Sequence, residues 1–507
     1  MVFVDSGAFQ KIDVVNDKDN RRLFIFFLTV AFCGYASIIT SGSLYNDDYV
    51  RYVTNHSTCY HNGRFGNVIL EYIMFLSNIV LDAAPFTHIV SCAILSFTAL
   101  VCLRMFCKTA DRCAILFAAT IVVNPYLSEN MLFRFDNLFM TLALLCSILA
   151  AYVSLSNDRR NLVMQILLLF SSLTLYQSAL SAYFVVLSCV LIEKISSGEK
   201  MLSMIKSTKY WWYTAICTAA LYSPIVYNIK YTKLGEKIFV GNCLSEYLEF
   251  VFNKICRYFG TVYLSWSCTH VGVIVSIFIL GFIAHFFVVC WKNKLNYRDY
   301  VVRSVFLSIL IFAFFLSPIG ILVFFNHAGV EFRIPPRMLY SISIATFVVL
   351  HKASIFFEKK LILGAIRNFF SIIFLVWNVA FMNICGNLMK QKYELRNAIS
   401  YSIANELCSI QKENISKVIV ATCGNTNFFA NAVEEYPFLK MILENGWQSP
   451  IFSSILIRHN GNFYPLVIKS SETDLPKDLV EIVDRLWYTL YFSGKDTLVI
   501  KVKGSVC

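Results

Sequence analysis

The sequence predicts an α-helical polytopic membrane protein, a bundle of about 11 transmembrane helices, followed by a C-terminal domain of α/β type. Three observations predict it. Apolar residues make up 57% of the 507-residue chain and charged residues only 15%, against about 25% charged in ordinary soluble domains. The mean hydropathy is +0.61. The apolar residues fall in long runs separated by short charged connections, and the pattern changes after Gly386.

A membrane span needs about 20 mostly apolar residues. Eleven runs qualify: roughly 23–41, 86–106, 113–124, 137–155, 161–176, 178–196, 211–229, 268–291, 303–325, 338–357 and 368–386. The third and fifth are short for a span. Between the first two, "NVILEYIMFLSNIVLDAAP" is amphipathic and fits a helix lying in the interface or a short span.

Basic residues orient the bundle. One set of connections holds Lys11, Lys18, Arg21 and Arg22; Arg104, Lys108 and Arg112; Arg159 and Arg160; Lys194, Lys200, Lys206 and Lys209; Lys292, Lys294, Arg298 and Arg303; and Lys352, Lys359, Lys360 and Arg367. The opposite set is about half as rich in Lys and Arg, which assigns the first set to the cytoplasm. The expected organisation is a cytoplasmic N-terminus over 1–22, a transmembrane bundle over 23–386 and a C-terminal domain outside the membrane over 387–507. In the last segment, "KVIVAT", "NFYPLVIK" and "DTLVIKVKG" read as strands after an amphipathic helix.

The net charge of +12 does not point to nucleic acid, because the basic residues mark loops rather than one surface. The 17 cysteines form no CxxC pair and no Cys/His metal spacing. The start "MVFVDSGAFQKIDVVNDKDNRR" is too polar for a cleavable signal peptide.

The outer loops gather an unusual polar set. The first carries Asp47, Asp48, Arg51, His56, His61, Arg64 and Glu71; the second carries Glu129, Arg134, Asp136 and Asn137. A tight turn holds Tyr176 and Gln177, and the last loop holds Glu331, Arg333 and Arg337. Charges this near apolar spans are costly unless they face protein or a water-filled cavity. A carboxylate can take a proton from a hydroxyl, and arginines hold phosphate by bidentate hydrogen bonds. At headgroup depth that combination suits transfer of a group from a polyprenyl phosphate to a hydroxyl. Asp47 and Arg51 stand at i,i+4, Asp48 and Arg51 at i,i+3, so the spacing lets the arginine brace either aspartate. Blander roles stay open: an ion pair for Arg134 and Asp136, snorkelling for Arg337, turn capping for Tyr176 and Gln177. The gap between His56 and His61, with no third ligand, is poor for a metal.

The motifs "NDDYVRY", "NGRFG", "LFRFDNL", "LYQ" and "PPRMLY" carry a resemblance. A first-loop acidic pair with a nearby arginine resembles the GT-C type of membrane glycosyltransferase. The fuller set resembles the type-specific, serotype-converting O-antigen glucosyltransferases of enteric bacteria and their phages, over roughly 20–386. The resemblance implies a multi-pass protein of the bacterial inner membrane with a periplasmic site and C-terminal domain. It implies undecaprenyl-phosphate glucose as donor, an O-antigen hydroxyl as acceptor, and companion proteins that flip and synthesise the donor. It favours Asp47 over Asp48 as general base, inversion at the sugar, no cofactor and no required divalent metal. Other sugars, O-antigen polymerisation, and a flippase or transporter for a lipid-linked sugar are the competing functions. Transporters commonly place polar residues at the midplane in repeated halves, whereas here the charges lie at one face and no repeat is evident.

Overall fold

The computed structural model describes residues 17–57, 59, 62–107, 111–156, 158–228, 244–265, 269–293, 297–324, 334–357, 361–409, 417–422, 430–443, 466–470, 476, 478–485, 488–494 and 497–502. The helices are α1 (Lys18–Ser41), α2 (Asp48–Thr54), α3 (Phe65–Phe75), α4 (Phe86–Phe106), α5 (Arg112–Val122), α6 (Pro125–Leu132), α7 (Asn137–Ser154), α8 (Leu162–Leu175) and α9 (Leu180–Ser196). They continue as α10 (Met201–Ser207), α11 (Lys209–Asn228), α12 (Leu244–Ser265), α13 (Thr269–Lys292), α14 (Tyr297–Leu316), α15 (Ile342–Phe357), α16 (Leu361–Ser409), α17 (Ala430–Glu435) and α18 (Pro437–Leu443).

Among the described residues, eight helical stretches are long and apolar enough to cross a membrane, against eleven expected. The difference lies in length and composition rather than in helicity. α8 has 14 residues and α15 has 16, both short for the hydrocarbon thickness. The 113–124 run does not stand alone. Asn124 caps a new helix by accepting from the Tyr126 N–H at 3.2 Å, and Pro125 takes its first position, where a missing N–H costs nothing. α5 and α6 thereby form one stretch, Arg112–Leu132, and most of "YLSENML" is buried helix rather than loop. α12, which the hydropathy pattern did not single out, is amphipathic and lies beside α18.

α1 shows how local chemistry sets a boundary. The Asp17 carboxylate accepts from the N–H groups of Asp19 and Asn20, satisfying donors that the first turn leaves free. At the other end Gly42 adopts φ +62°, the left-handed stop that glycine makes without steric cost. The chain is thus released at the bundle's end, where the polar loops gather. α3 is amphipathic in an unusual sense. Asn67 and Glu71 are buried, while Ile69, Tyr72 and Ile73 are exposed, so its polar face looks into the protein and its apolar face outward, as an interfacial position requires.

α1 packs along α16 and α4, α4 on α7, and α7 on α8. Where α1 meets α16, a Cβ on Gly386 would stand 2.5 Å from Ser37 Oγ and 2.6 Å from the Ile38 nitrogen. The small residue permits the close approach that substitutes for hydrophobic driving force inside a bilayer. The Ser37 hydroxyl donates to the Asn383 carbonyl at 3.0 Å across this seam. α16 runs 49 residues, about 70 Å at 1.5 Å per residue. It carries the last span and the expected amphipathic helix as one rod.

At one end of the bundle, Arg104 donates to Asn20 at 2.7 Å, Arg367 pairs with Asp111 at 3.1 Å, and Lys352 pairs with Glu193 at 2.5 Å. These belong to the loops expected in the cytoplasm. The acids and arginines of the expected outer loops meet at the opposite end. Beyond it, five strands form one sheet, β1 (Lys417–Thr422), β2 (Leu466–Ser470), β3 (Leu479–Asp484), β4 (Tyr488–Ser493) and β5 (Thr497–Val502), in the order β2-β1-β5-β4-β3. β2, β1 and β5 are parallel; β5, β4 and β3 are antiparallel. The three strands expected from sequence correspond to β1, β2 and β5.

Gly386→Ala is expected to lower the unfolding midpoint in detergent, by about 1–3 kcal/mol of overpacking. Gly364→Ala, where a Cβ meets nothing within 4 Å, is the control and should hold or raise it. Equal midpoints for both variants would contradict the close-seam account.

Candidate active site

Asp47 and Asp48 part company at the start of α2. Asn46 takes a left-handed φ of +44°, and neighbouring side chains then leave the helix about 100° apart. Asp47 is exposed while Asp48 is 1% exposed. Asp48 Oδ2 accepts from the Tyr45 N–H at 3.2 Å and the Arg134 N–H at 2.8 Å, which ties the first loop to the second. Its Oδ1 is buried with no hydrogen-bond partner among the described residues. Burial pushes the Asp48 carboxyl up to about 7, with Asp136 adding to the rise and the two N–H donors and Arg51 opposing it.

Arg51 turns inward from α2. Its Nη1 meets Asp136 Oδ1 at 2.5 Å and its Nη2 meets Oδ2 at 3.1 Å, the two-pronged geometry suited to guanidinium and carboxylate. Nη2 also donates to Cys59 Sγ at 3.0 Å, and Glu71 lies 3.9 Å from Nη1. Burial alone would raise the Asp136 carboxyl, but Arg51, Arg64 and Arg337 together hold it below the usual carboxylate range. Cys59, Glu71 and Asp136 are the one group among the described residues with ligand atoms close enough to share a metal ion, within 4.8 Å of one another. The Arg51 guanidinium stands among them, donating to Cys59 and paired with Asp136.

A second pair lies nearby. Glu129 on α6 is fully buried and pairs with the Arg337 guanidinium; its other oxygen accepts the Arg337 N–H at 2.9 Å. Pro336 opens the short helical turn that presents Arg337. Arg337 also lies in the field of Asp47. The Tyr176 hydroxyl donates to the Arg337 carbonyl at 3.4 Å.

Arg64 closes the set. Its guanidinium stacks 4.4 Å over the Tyr176 ring and its Nε donates to Gln177 Oε1 at 3.4 Å. Gln177 Nε2 donates to the Asn62 carbonyl at 2.7 Å, and the Tyr222 hydroxyl to the Gly63 carbonyl at 3.0 Å. Gly63 has φ +73°, which explains the glycine in "NGRFG". Among the described residues Arg64 makes no ion pair, and it is half-buried.

Asp47, Asp48, Arg51, Arg64, Glu129, Asp136, Tyr176, Gln177 and Arg337 therefore meet at one end of the bundle. The Arg134 side chain departs from them and pairs with Asp82 at 2.7 Å; its backbone, not its charge, serves the loop junction. Arg333, with Glu331 and His61, lies outside the described residues. Sequence reasoning missed Tyr45, Tyr222 and α18. Tyr45 stands two residues before Asp47, but nothing in "SLYNDD" signals that its ring is buried.

Removing one partner of a buried ion pair leaves the other charge stranded, at a cost of about 3–5 kcal/mol. Arg51→Met and Asp136→Leu should each destabilise on that scale, and the double variant should lose much less than their sum. Additive losses in chemical unfolding would contradict a coupled pair. Asp48 predicts a pH effect. Its folded-state carboxyl titrates above that of the unfolded chain, so its contribution to stability is fully present below pH 4 or so and is lost as pH rises through about 7. Asp48→Asn should flatten that decline and melt no lower than wild type at pH 7.5. A lower melting point there would contradict it.

A family model described as Glucosyl transferase GtrII matches residues 36–350. A relative from Salmonella phage P22, described as an uncharacterized 55.3 kDa protein in the gtrB 5' region, is 28% identical over 254 residues. That alignment covers 46% of this chain and 51% of the relative, so the chain spans about half the length of the curated relative it matches. The family model takes in every site residue from Asp47 to Arg337, and it covers more than half of the chain: the protein belongs to the GtrII glucosyl transferase family.

Proposed function

We propose that the protein transfers a glucosyl group from undecaprenyl-phosphate glucose to a hydroxyl of the O-antigen, at the periplasmic face of the bacterial inner membrane. The observation that carries this is the exposed Asp47 carboxylate at the bundle's end, in the field of Arg337. Asp47 takes the proton of the acceptor hydroxyl as its oxygen bonds to the sugar's anomeric carbon. The bond from that carbon to the phosphate oxygen breaks, and its electron pair leaves on the lipid phosphate. Attack opposite the leaving group inverts the centre, so a β-linked donor gives an α-linked glucose. Lipid phosphate departs without protonation, and guanidinium groups neutralise its charge. Arg64 suits this role because its contacts are an aromatic face and an amide. No divalent metal is required on this account.

Asp48 and the Arg51–Asp136 pair hold the loop rather than touch the sugar. The richer basic loops at the other end of the bundle support a cytoplasmic placement there, leaving the site periplasmic. The C-terminal segment beside the site is assigned to acceptor recognition. Proteins that synthesise and flip the donor are the expected companions.

Asp47→Asn is expected to lower transfer from undecaprenyl-phosphate glucose by about 10²–10⁴-fold, with donor KM and melting temperature near wild type. Full glucosylation by Asp47→Asn, Asp48→Asn and the double variant would refute an aspartate base. Wild-type protein that moves the donor between leaflets without forming product would favour the flippase reading.

A further inference from the structure

α18 lies in the C-terminal segment, beyond the residues matched by the family model. Yet it docks into the bundle at the site. Phe438, Leu439, Met441, Ile442 and Leu443 are all buried. Phe438 packs edge-on to Tyr126 at 5.1 Å and lies 6.1 Å from Phe381 on α16. A helix's last turn leaves carbonyls that need donors. Here they are met from two other parts of the chain. The Tyr45 hydroxyl lies 3.2 Å from the Ile442 carbonyl, and Lys392 of α16 donates to the Leu443 carbonyl, a favourable place for a cation.

Tyr45 is the hinge of this arrangement. Its hydroxyl is shared between the Ile442 carbonyl and Glu129 Oε1 at 3.1 Å. Glu129 is the partner of Arg337, whose guanidinium lies in the field of Asp47. The Tyr45 ring stands edge-on to Phe133 at 4.9 Å and its N–H donates to Asp48. One residue thus joins all three: its side chain meets α18 and the Glu129–Arg337 pair, and its backbone N–H holds the turn that presents Asp47.

We propose that Tyr45 is a positioning residue for the transfer, and that its hydroxyl sets the Glu129–Arg337 pair and the Asp47 turn only while α18 is docked against it. Docking of the C-terminal segment is therefore part of assembling the site, not an addition beside it. This rests on the transfer reading given above. It differs from acceptor recognition in what it predicts, because a misplaced site slows turnover with saturating substrates, whereas a lost acceptor contact raises acceptor KM.

The test uses the full-length protein in nanodiscs with undecaprenyl-phosphate glucose as donor and purified O-antigen as acceptor. Tyr45→Phe keeps the ring on Phe133 and removes the hydroxyl. It should lower kcat about tenfold to a hundredfold, the rate equivalent of one hydrogen bond to a charged group, with both KM values within about twofold. Phe438→Ala, which loosens α18, should do likewise. The double variant should be no slower than the slower single one, since both act through one contact. Wild-type kcat in Tyr45→Phe, or multiplied losses in the double variant, would overturn the proposal while leaving the transfer reading intact. If Phe438→Ala does not accumulate, Phe438→Leu gives the same comparison at smaller amplitude. Inactive wild-type protein with this donor would instead bring down the transfer reading itself.

Discussion

The buried pairing of Arg51 with Asp136 is the constraint on which the mouth of this bundle depends. Charges at the edge of apolar helices are expensive, and they persist only when paired or open to water. Arg51 comes from the first loop and Asp136 from the start of α7, so their two-pronged contact fixes one loop against the next. Cys59 and Glu71 then gather round the same guanidinium. Asp48 adds a second tie by accepting N–H groups from both loops. With these charges committed inside, Asp47 is the first-loop carboxylate left facing outward.

A repeated device runs through the site. Each arginine is held by something that fixes its plane: Arg51 by a carboxylate, Arg337 by Glu129, Arg64 by the face of Tyr176. Such preorganisation costs nothing at the moment of reaction, which is why fixed dipoles and charges stabilise developing charge better than mobile water. The three differ in what remains available. Arg51 is enclosed, Arg337 is shared with Glu129, and Arg64 makes no ion pair among the described residues, though its field reaches Asp136.

α16 extends this logic beyond the membrane. It carries the last span through the close seam at Gly386 and continues to Lys392, where it meets α18. The C-terminal segment is thereby anchored to the same rod that packs on α1, and α1 leads directly into the loop of Tyr45 and Asp47. The geometry of the first loop thus depends on both ends of the sequence.

The sequence by itself determined the membrane class, the segregation of charges to two ends, three of the five C-terminal strands and nearly all of the polar residues that meet. Hydropathy and charge placement are properties of composition along the chain, so they survive without coordinates. Motif order did the same for the family, which the match over 36–350 bears out. The division of labour within "NDDYVR" was decided only by tertiary structure. Adjacent aspartates look alike in sequence, and what separates them is burial and the N–H of a residue 86 positions away. The same holds for Arg134, whose backbone matters while its charge turns to Asp82, and for Tyr45, whose partners are Glu129 and a carbonyl of α18. Long-range hydrogen bonds leave no periodic trace in a sequence, so only the folded chain reveals which aspartate holds the loop and which one is left exposed.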